Sequence, residues 1–554
     1  MARFSRRTFL GAVGVGAGGM LAGAALTGCT DSGRTKSGGT KGGGGNFDLP
    51  TYQPAPDLDV QPFHVSETPG MENVYTENPQ NLFKSVERGP ASGGTITTFQ
   101  LTWGDPPKPL KMNPYWEELN KRLGVSFKPQ FVPQPVFDEK FSTMLASGEV
   151  PDLVFLNDQS AVNLQGVRDG AFADLSEVLS GDNILKWPNL AARKENVWKA
   201  SLKDGRIFQI PSIVWNISNV ISMRTDLLEQ TSIGTAPRDA DELFTALKEV
   251  SDLGQGPGGQ KVYGINFYEF PMWRWIFKTG PDWQLDSSGK LVHVSETENY
   301  KEMLTWLSNA WNEGIFDPAA MTTNGAEIVS GTALKYDPVG GTFSAPEYST
   351  READVPGSKW DWLDIPGFDG DGPVITRNVP YGKSTCISAE AAKDEDRLTE
   401  ILNVLDYLSA PYGSEELLFI VNGIEGHNFE FDADGNPVIN EETRIELGVN
   451  YVGVTSGDNS YRAHVSTVDR AKRFSTVLEN MAKNSIVRDL EGFETESATF
   501  VTKGAQLQTQ WDDFERGVIS GRESVDDLDS FVSRYMSQGG EQIRTEYTEV
   551  LDAQ

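Results

Sequence analysis

Regular alternation of apolar and polar positions begins at Thr95. In "GGTITTFQLTW" the β-branched and aromatic residues predict a strand. The spacing then lengthens to that of a helix in "NPYWEELNKRLG". Trp116, Leu119 and Leu123 share one face there, with Asn113 as N-cap, Pro114 at the first helical position and Gly124 as the stop. "VSFKPQFV" predicts a second strand, and "FDEKFSTMLASG" a helix that turns Phe137, Phe141, Met144 and Leu145 inward. "PDLVFLND" reads as a third strand, short and apolar throughout. Strand, helix, strand, helix, strand at this spacing implies a parallel sheet with right-handed crossovers. Ligands bind such sheets beyond the carboxyl ends of the strands, here Trp103-Gly104-Asp105 and Asn157-Asp158.

A second α/β region runs from about Pro211 to Leu334. It predicts a strand over Asn219–Met223, the helix "DADELFTALKEVSDLG", a strand "YGINFY", an aromatic helix, and the helix "NYKEMLTWLSNAWNEG". Beyond it come another strand and crossing in "TALKYDPVGGTFSA", a return strand "YGKSTCISA", further helices, a hairpin and a helical tail. The order predicts two α/β lobes joined by several crossings. Residues 93–212 with 339–378 are expected to form lobe 1, and 213–338 with 379–500 lobe 2. Residues 501–554 are expected to form a C-terminal helical segment.

The N-terminal stretch follows different rules. Ser5-Arg6-Arg7-Thr8-Phe9-Leu10 resembles a twin-arginine export signal, followed by a Gly/Ala-rich run too weakly hydrophobic for a good membrane span. Leu26-Thr27-Gly28-Cys29 resembles a bacterial lipobox, in which the cysteine is lipidated and becomes the new N-terminus. Residues 1–28 therefore read as a signal peptide. Residues 29–92 read as a lipid-anchored Gly/Ser/Lys linker and a Pro-rich extended arm.

At 554 residues the chain is too long for one compact core, which agrees with two lobes. A formal net charge of −31 disfavours nucleic acid and anionic membrane surfaces as partners. Only one cysteine, Cys386, remains beside Cys29, so a lipidated Cys29 leaves no disulfide framework. The four histidines are scattered without metal-ligand spacing. "DADGNPVINEET" has Pro437 where a calcium loop needs glycine, and reads as a hairpin turn. No metal or cofactor is expected.

Several segments carry a resemblance: "SGEVPDLVFLNDQSAVNLQGVRDGAFADLSEVL", "KDGRIFQIPSIVWNISNVISMRTDLLEQ", "WNEGIFDPA" and "NVLDYLSAPYGSEELLFIVNGIEGHNFEFDADGNPV". In this order, behind a lipobox, the chain resembles the extracellular solute-binding lipoproteins of carbohydrate ABC transporters, the maltose-binding-protein-like class with long oligosaccharide-binding members. The resemblance implies a bilobed periplasmic-binding-protein-like fold with an interlobe cleft closing on an oligosaccharide. It also implies delivery to a membrane permease, attachment to the outer face of the cytoplasmic membrane through Cys29, action as a monomer, and no catalysis. Linkers would lie near Pro211–Trp215, Ala333–Gly341 and Val379–Lys383. Relatives with a calcium loop carry an acidic turn before the "YGI" strand; here "SDLGQGPGGQK" has the single carboxylate Asp252, and no calcium site is carried over.

Sugars present apolar C–H faces and a rim of hydroxyls, so a site for them needs aromatic platforms and planar polar groups. The aromatic candidates at sheet ends and crossings are Trp103, Trp215, Trp273, Trp360 and Tyr381; Trp116, Trp306 and Trp311 fit core positions better. The polar candidates are Asp105, Asn157, Asp158, Asn216, Glu269 and Glu425, the last between glycines in "NGIEGHNF". Two other functions remain open at this point: a secreted glycoside hydrolase, which would need a carboxylate pair across the scissile bond, and a binding protein for a solute such as a peptide.

Overall fold

A computed structural model describes residues 47–553 apart from 69–72, 87–88, 103–104, 157–160, 214–215, 218, 258, 267–270, 322–330, 339–354, 378–380, 434, 450–461, 465–467, 491–492 and 494–495. For 161–164, 336–338, 381–382 and 462–464 it describes the backbone only. The stretch expected to be a signal peptide, Cys29 and the Gly-rich linker lie outside the described residues.

Local signals place the first elements as expected. Strand β1, Thr95–Thr102, leads to a helix over Pro114–Leu123, whose N-cap Asn113 accepts the Trp116 amide at 3.0 Å. Gly124 ends that helix at φ 72°, where a Cβ would strike the Ala91 carbonyl oxygen. Strands β2, Ser126–Pro133, and β3, Leu153–Leu156, follow, with the helix Phe137–Ser147 between them. Strand β4, Ile210–Ile213, closes this stretch. The chain then enters a second sheet: β5, Asn219–Arg224, β6, Leu334–Pro338, and β7, Trp360–Trp362. Strand β8, Tyr381–Ile387, returns to the first sheet.

The strand pairing reverses two expected memberships. The first sheet has the order β2-β1-β3-β8-β4, with β8 antiparallel to both its neighbours. The second has the order β7-β5-β6, all antiparallel. Segment 339–378, expected in lobe 1, supplies β7 to the second sheet. Segment 379–500, expected in lobe 2, divides. Residues from Ile387 to Val449 pack into the first core, and those from Ala471 to Leu490 into the second. Of the expected linker Ala333–Gly341, Leu334–Pro338 instead forms β6 and pairs with β5 within one sheet, and 339–341 lie outside the described residues. The tail is not separate either: Leu507, Trp511, Phe514, Phe531 and Tyr547 belong to the second core. The described part of "YGINFY", residues 263–266, makes single bridges, Tyr263 to Thr332 and Ile265 to Phe316, rather than a strand.

Each core follows from apolar periodicity. In lobe 1 one face of the sheet packs Phe99, Leu101, Val154, Leu156 and Cys386 against Phe137, Phe141 and Met144. The other face packs Ile96, Leu153, Ile210 and Ile387 with Leu119, Leu123, Leu402 and Leu405. The arm before Thr95 touches both lobes. The Thr51 amide donates to the Gly181 carbonyl at 3.0 Å in lobe 1, while Ser66 Oγ donates to Glu479 Oε2 at 2.9 Å in lobe 2. Val74 is fully buried in the second core, and Asn73–Tyr75 pairs in parallel with Arg462–His464.

Candidate functional site

One face of the first sheet is apolar at one end and polar at the other. On β1, Ile96, Thr98, Gln100 and Thr102 share a face by the two-residue period of a strand. On β8, Ile387, Thr385 and Lys383 share the corresponding face, opposite Ile210 and Ser212 of β4. Each series therefore runs from a buried isoleucine to buried polar groups: Thr98, Gln100, Thr102, Thr385 and Ser212 are all nearly inaccessible to solvent. A sheet interior does not hold such groups without polar surroundings. Gln100 Nε2 donates to the Val449 carbonyl at 2.8 Å, tying the sheet to the last residue of the first core before the chain leaves it.

Beyond Thr95 the chain passes between the lobes three times, each time at this polar end. Residues 214–218 run from the end of β4 to β5. Residues 377–380 run from the short strand Ile375–Thr376, which pairs with Ser485–Ile486, to β8. Residues 450–467 run from Val449 toward the helix Val468–Lys483 in the second core. Register puts Tyr381 opposite Ile213 and Ser384 opposite Leu156, so the end of β3, the start of β8 and the end of β4 lie side by side. Parallel pairing of β1 with β3 puts Thr102 at the same end of the sheet.

The root of the first crossing is held rigidly. Arg193, fully buried, donates from Nε to the Pro211 carbonyl at 2.7 Å and from Nη2 to Ser409 Oγ at 3.1 Å. Asp406 Oδ1 accepts the amides of Asn189 and Leu190 at 2.8 and 3.0 Å. Burial raises the Asp406 carboxyl to about 7 and lowers the Arg193 guanidinium to about 10.

Against this geometry the expected site residues divide. Trp103, Asn157, Asp158, Trp215 and Glu269 lie outside the described residues. The first four follow in sequence from Thr102, Leu156 and Ile213, the described ends of β1, β3 and β4. Tyr381 begins β8, where the backbone alone is described. Asp105 is exposed just beyond β1, and Asn216 is half-buried in the first crossing. Glu425 is exposed beside the hairpin Phe429–Phe431 and Pro437–Ile439, which forms where "DADGN" predicted a turn.

Two aromatic candidates are corrected. Trp273 is buried at 2% exposure with its ring 5.1 Å from Trp306, and Trp360 at 4% with the Arg224 guanidinium 5.6 Å from its ring. Both are core residues of the second lobe, because β7 and the helix Pro271–Ile276 turn their apolar sides inward. Sequence reasoning missed the polar series on β1. The available signal was "TTFQLT", where polar residues alternate on a strand buried on both faces.

The family model described as bacterial extracellular solute-binding protein matches residues 104–396, just over half the chain. Lipoprotein LipO of Bacillus subtilis (strain 168) is 25% identical over 463 residues, covering 79% of this chain and 88% of that protein. The polygalacturonan/rhamnogalacturonan-binding protein YtcQ of the same organism is 22% identical over 492 residues, covering 84% and 95%. Among solved structures, alginate-binding protein AlgQ2 without calcium ion superposes with a TM-score of 0.60 at 16% identity, covering 85% of this chain and 99% of that one.

Proposed function

The chain belongs to the bacterial extracellular solute-binding protein family, and from that premise we propose that it captures an oligosaccharide outside the cell and delivers it to the permease of an ABC importer. The observation that carries this reading is that, beyond Thr95, the strand ends and core residue from which the chain passes between the lobes, Ile213, Tyr381 and Val449, all lie at the polar end of the lobe-1 sheet. A solute seated there touches both lobes at once. It stabilises the closed form by the difference between its affinities for the closed and open states, and nothing in that cycle breaks a bond.

The sugar-facing set is Trp103, Asp105, Asn157, Asp158, Trp215, Asn216 and Tyr381, with Glu269 and Glu425 as further polar contacts. Indole and phenol rings would stack on sugar C–H faces while carboxylates and amides meet hydroxyls. Relatives named for polygalacturonan/rhamnogalacturonan and for alginate support a saccharide over a peptide. The body would stand off the outer face of the cytoplasmic membrane on its Gly-rich linker, held by lipid on Cys29 after twin-arginine export, and act as a monomer.

A thermal-shift screen of neutral and acidic oligosaccharides tests the reading. A true ligand at about 100 times its dissociation constant adds about 2.7 kcal/mol. Stabilisation by peptides and by no sugar would overturn the proposal. Recovery of shortened sugar after incubation would move the protein to the glycoside hydrolases.

A further inference from the structure

The arm before Thr95 visits the two lobes in turn. It starts on lobe 1, where Phe47 and Leu49 pack against the core and Leu58 against the patch of Ala410, Tyr412 and Leu417. It then lies on lobe 2. There Ser66 Oγ donates to Glu479 Oε2 at 2.9 Å, His64 Nε2 lies 3.3 Å from the same oxygen, and Val74 is fully buried in the core. Residues 78–86 are back on lobe 1. Ser85 donates to Glu416 Oε2 from its amide at 2.9 Å and from its hydroxyl at 3.0 Å, and the Phe83 amide donates to the Gly413 carbonyl at 3.0 Å. The arm therefore passes between the lobes twice, at 58–64 and at 75–78, and both passes lie wholly within the described residues.

The two passes are tied to each other, and the second is short. Asp59 Oδ2, on the first, accepts the Asn81 amide at 2.8 Å and the Asn81 side-chain Nδ2 at 2.6 Å. The second runs from Val74, seated in the lobe-2 core, to Asn78, which is 2% exposed on lobe 1. Tyr412 Oη donates to Asn78 Oδ1 at 2.5 Å, and Asn78 Nδ2 donates to Asn436 Oδ1 at 2.7 Å. Between these anchors the Tyr75 ring lies 6.5 Å from that of Tyr412. The steps from Val74 to Asn78 span at most about 14 Å even when fully extended. At this point the lobes cannot part without unseating a buried residue.

We propose that the arm is part of the hinge, a strut of two passes that limits how far the lobes swing apart when no ligand is bound. This rests on the lobe closure in the reading above. Lobe rotation is absorbed by a few residues of the connecting chain, and each further short connection narrows the range of rotation. One buried carboxylate from each lobe, Glu479 and Glu416, receives a serine of the arm. Hydrogen bonds to a charged acceptor are the stronger kind, so the ends hold while the passes bend. The strut keeps the ligand-free protein near the arrangement in which helix Ala161–Arg168 of lobe 1 meets helix Ala498–Ile519 of lobe 2. A ligand then finds the closing arrangement more often populated and binds with less loss of affinity to the open forms.

Small-angle X-ray scattering of the ligand-free full chain tests the strut. A Gly-Ser-Gly insertion between Thr76 and Glu77 lengthens the second pass and leaves the anchoring residues on both sides unchanged. Glu479→Gln combined with Ser66→Ala instead loosens the lobe-2 end and leaves Val74 and Asn78 seated. Each variant should show a larger radius of gyration than wild type, with a melting temperature within a few degrees of it. Folded variants that scatter as wild type would overturn the strut. So would a lower melting temperature with an unchanged radius, because the arm would then be packing alone. If the insertion variant does not fold, the Glu479→Gln, Ser66→Ala protein decides by the same measure. No sugar enters this comparison, so its failure leaves the oligosaccharide reading standing, and a failed ligand screen leaves the scattering result as it is.

Discussion

Replacing His293 by phenylalanine should flatten the acid side of the stability profile. His293 ends the strand Leu291–His293 at 1% exposure, boxed by Trp283, Trp511 and Tyr535 at ring-centroid distances of 4.9, 4.6 and 4.8 Å. Its Nδ1 lies 2.7 Å from Ser295 Oγ, while Nε2 is buried with no hydrogen-bond partner among the described residues. Burial pulls the imidazole from 6.5 to about 4, against the upward influence of the Asp282 carboxylate. Between those values the unfolded chain holds a proton that the folded chain does not, so stability falls as pH drops through the window. At about 1.4 kcal/mol per pH unit the full loss is about 3 kcal/mol at pH 4. Phenylalanine fills the aromatic box and cannot titrate, at the cost of the Ser295 contact, about 1 kcal/mol at any pH. Urea midpoints followed by tryptophan fluorescence at pH 7 and pH 4, without ligand, give the comparison; carboxylates elsewhere titrate alike in both proteins. His293→Phe should lose about 3 kcal/mol less than wild type between the two pH values. Equal losses would refute the buried, neutral placement and with it the packing of the C-terminal helices around this strand.

Trp360→Ala should cost about 3–5 kcal/mol of stability, measured by urea unfolding, because the ring is core; a lost affinity with unchanged stability would return it to the binding surface. Cys386, at 0% exposure, should resist alkylation in the native protein and react fully on denaturation, as read by mass spectrometry; rapid native labelling would contradict its burial. Cys29→Ala should release the protein from membranes without shifting its melting temperature; membrane partitioning equal to wild type would refute the lipid anchor.

The elements that sequence predicted well are those whose cause is local. Asn113, Pro114 and Gly124 bound a helix within a dozen residues, and "DADGN" makes its hairpin turn unaided. Lobe membership was not legible for the opposite reason. "KWDWL" and "YGKSTCIS" are both short strand-forming runs, and nothing in either says which sheet will take it. Pairing of Trp360 with Arg224, and of Cys386 with Val154, settles the matter through contacts far apart in sequence. The tryptophans misled because a core ring and a sugar platform share one composition signal; Trp273 is told apart by Trp306 at 5.1 Å. The polar series was missed because a lone glutamine such as Gln100 on a strand reads as a solvated position, and only its bond to the Val449 carbonyl shows its place at the polar end of the sheet.

The central claim is that one oligosaccharide is held between the lobes at the polar end of the first sheet. Trp103→Ala and Trp215→Ala, following the ends of β1 and β4, test it most directly. Calorimetric titration of each variant with the saccharide found by screening, paired with its urea midpoint, should show affinity reduced about 5- to 150-fold, equivalent to about 1–3 kcal/mol. Ligand-free stability should change by less than the 3–5 kcal/mol expected of a core tryptophan. Wild-type affinity in both variants, with a large loss of stability in each, would place both rings in the core and contradict the site.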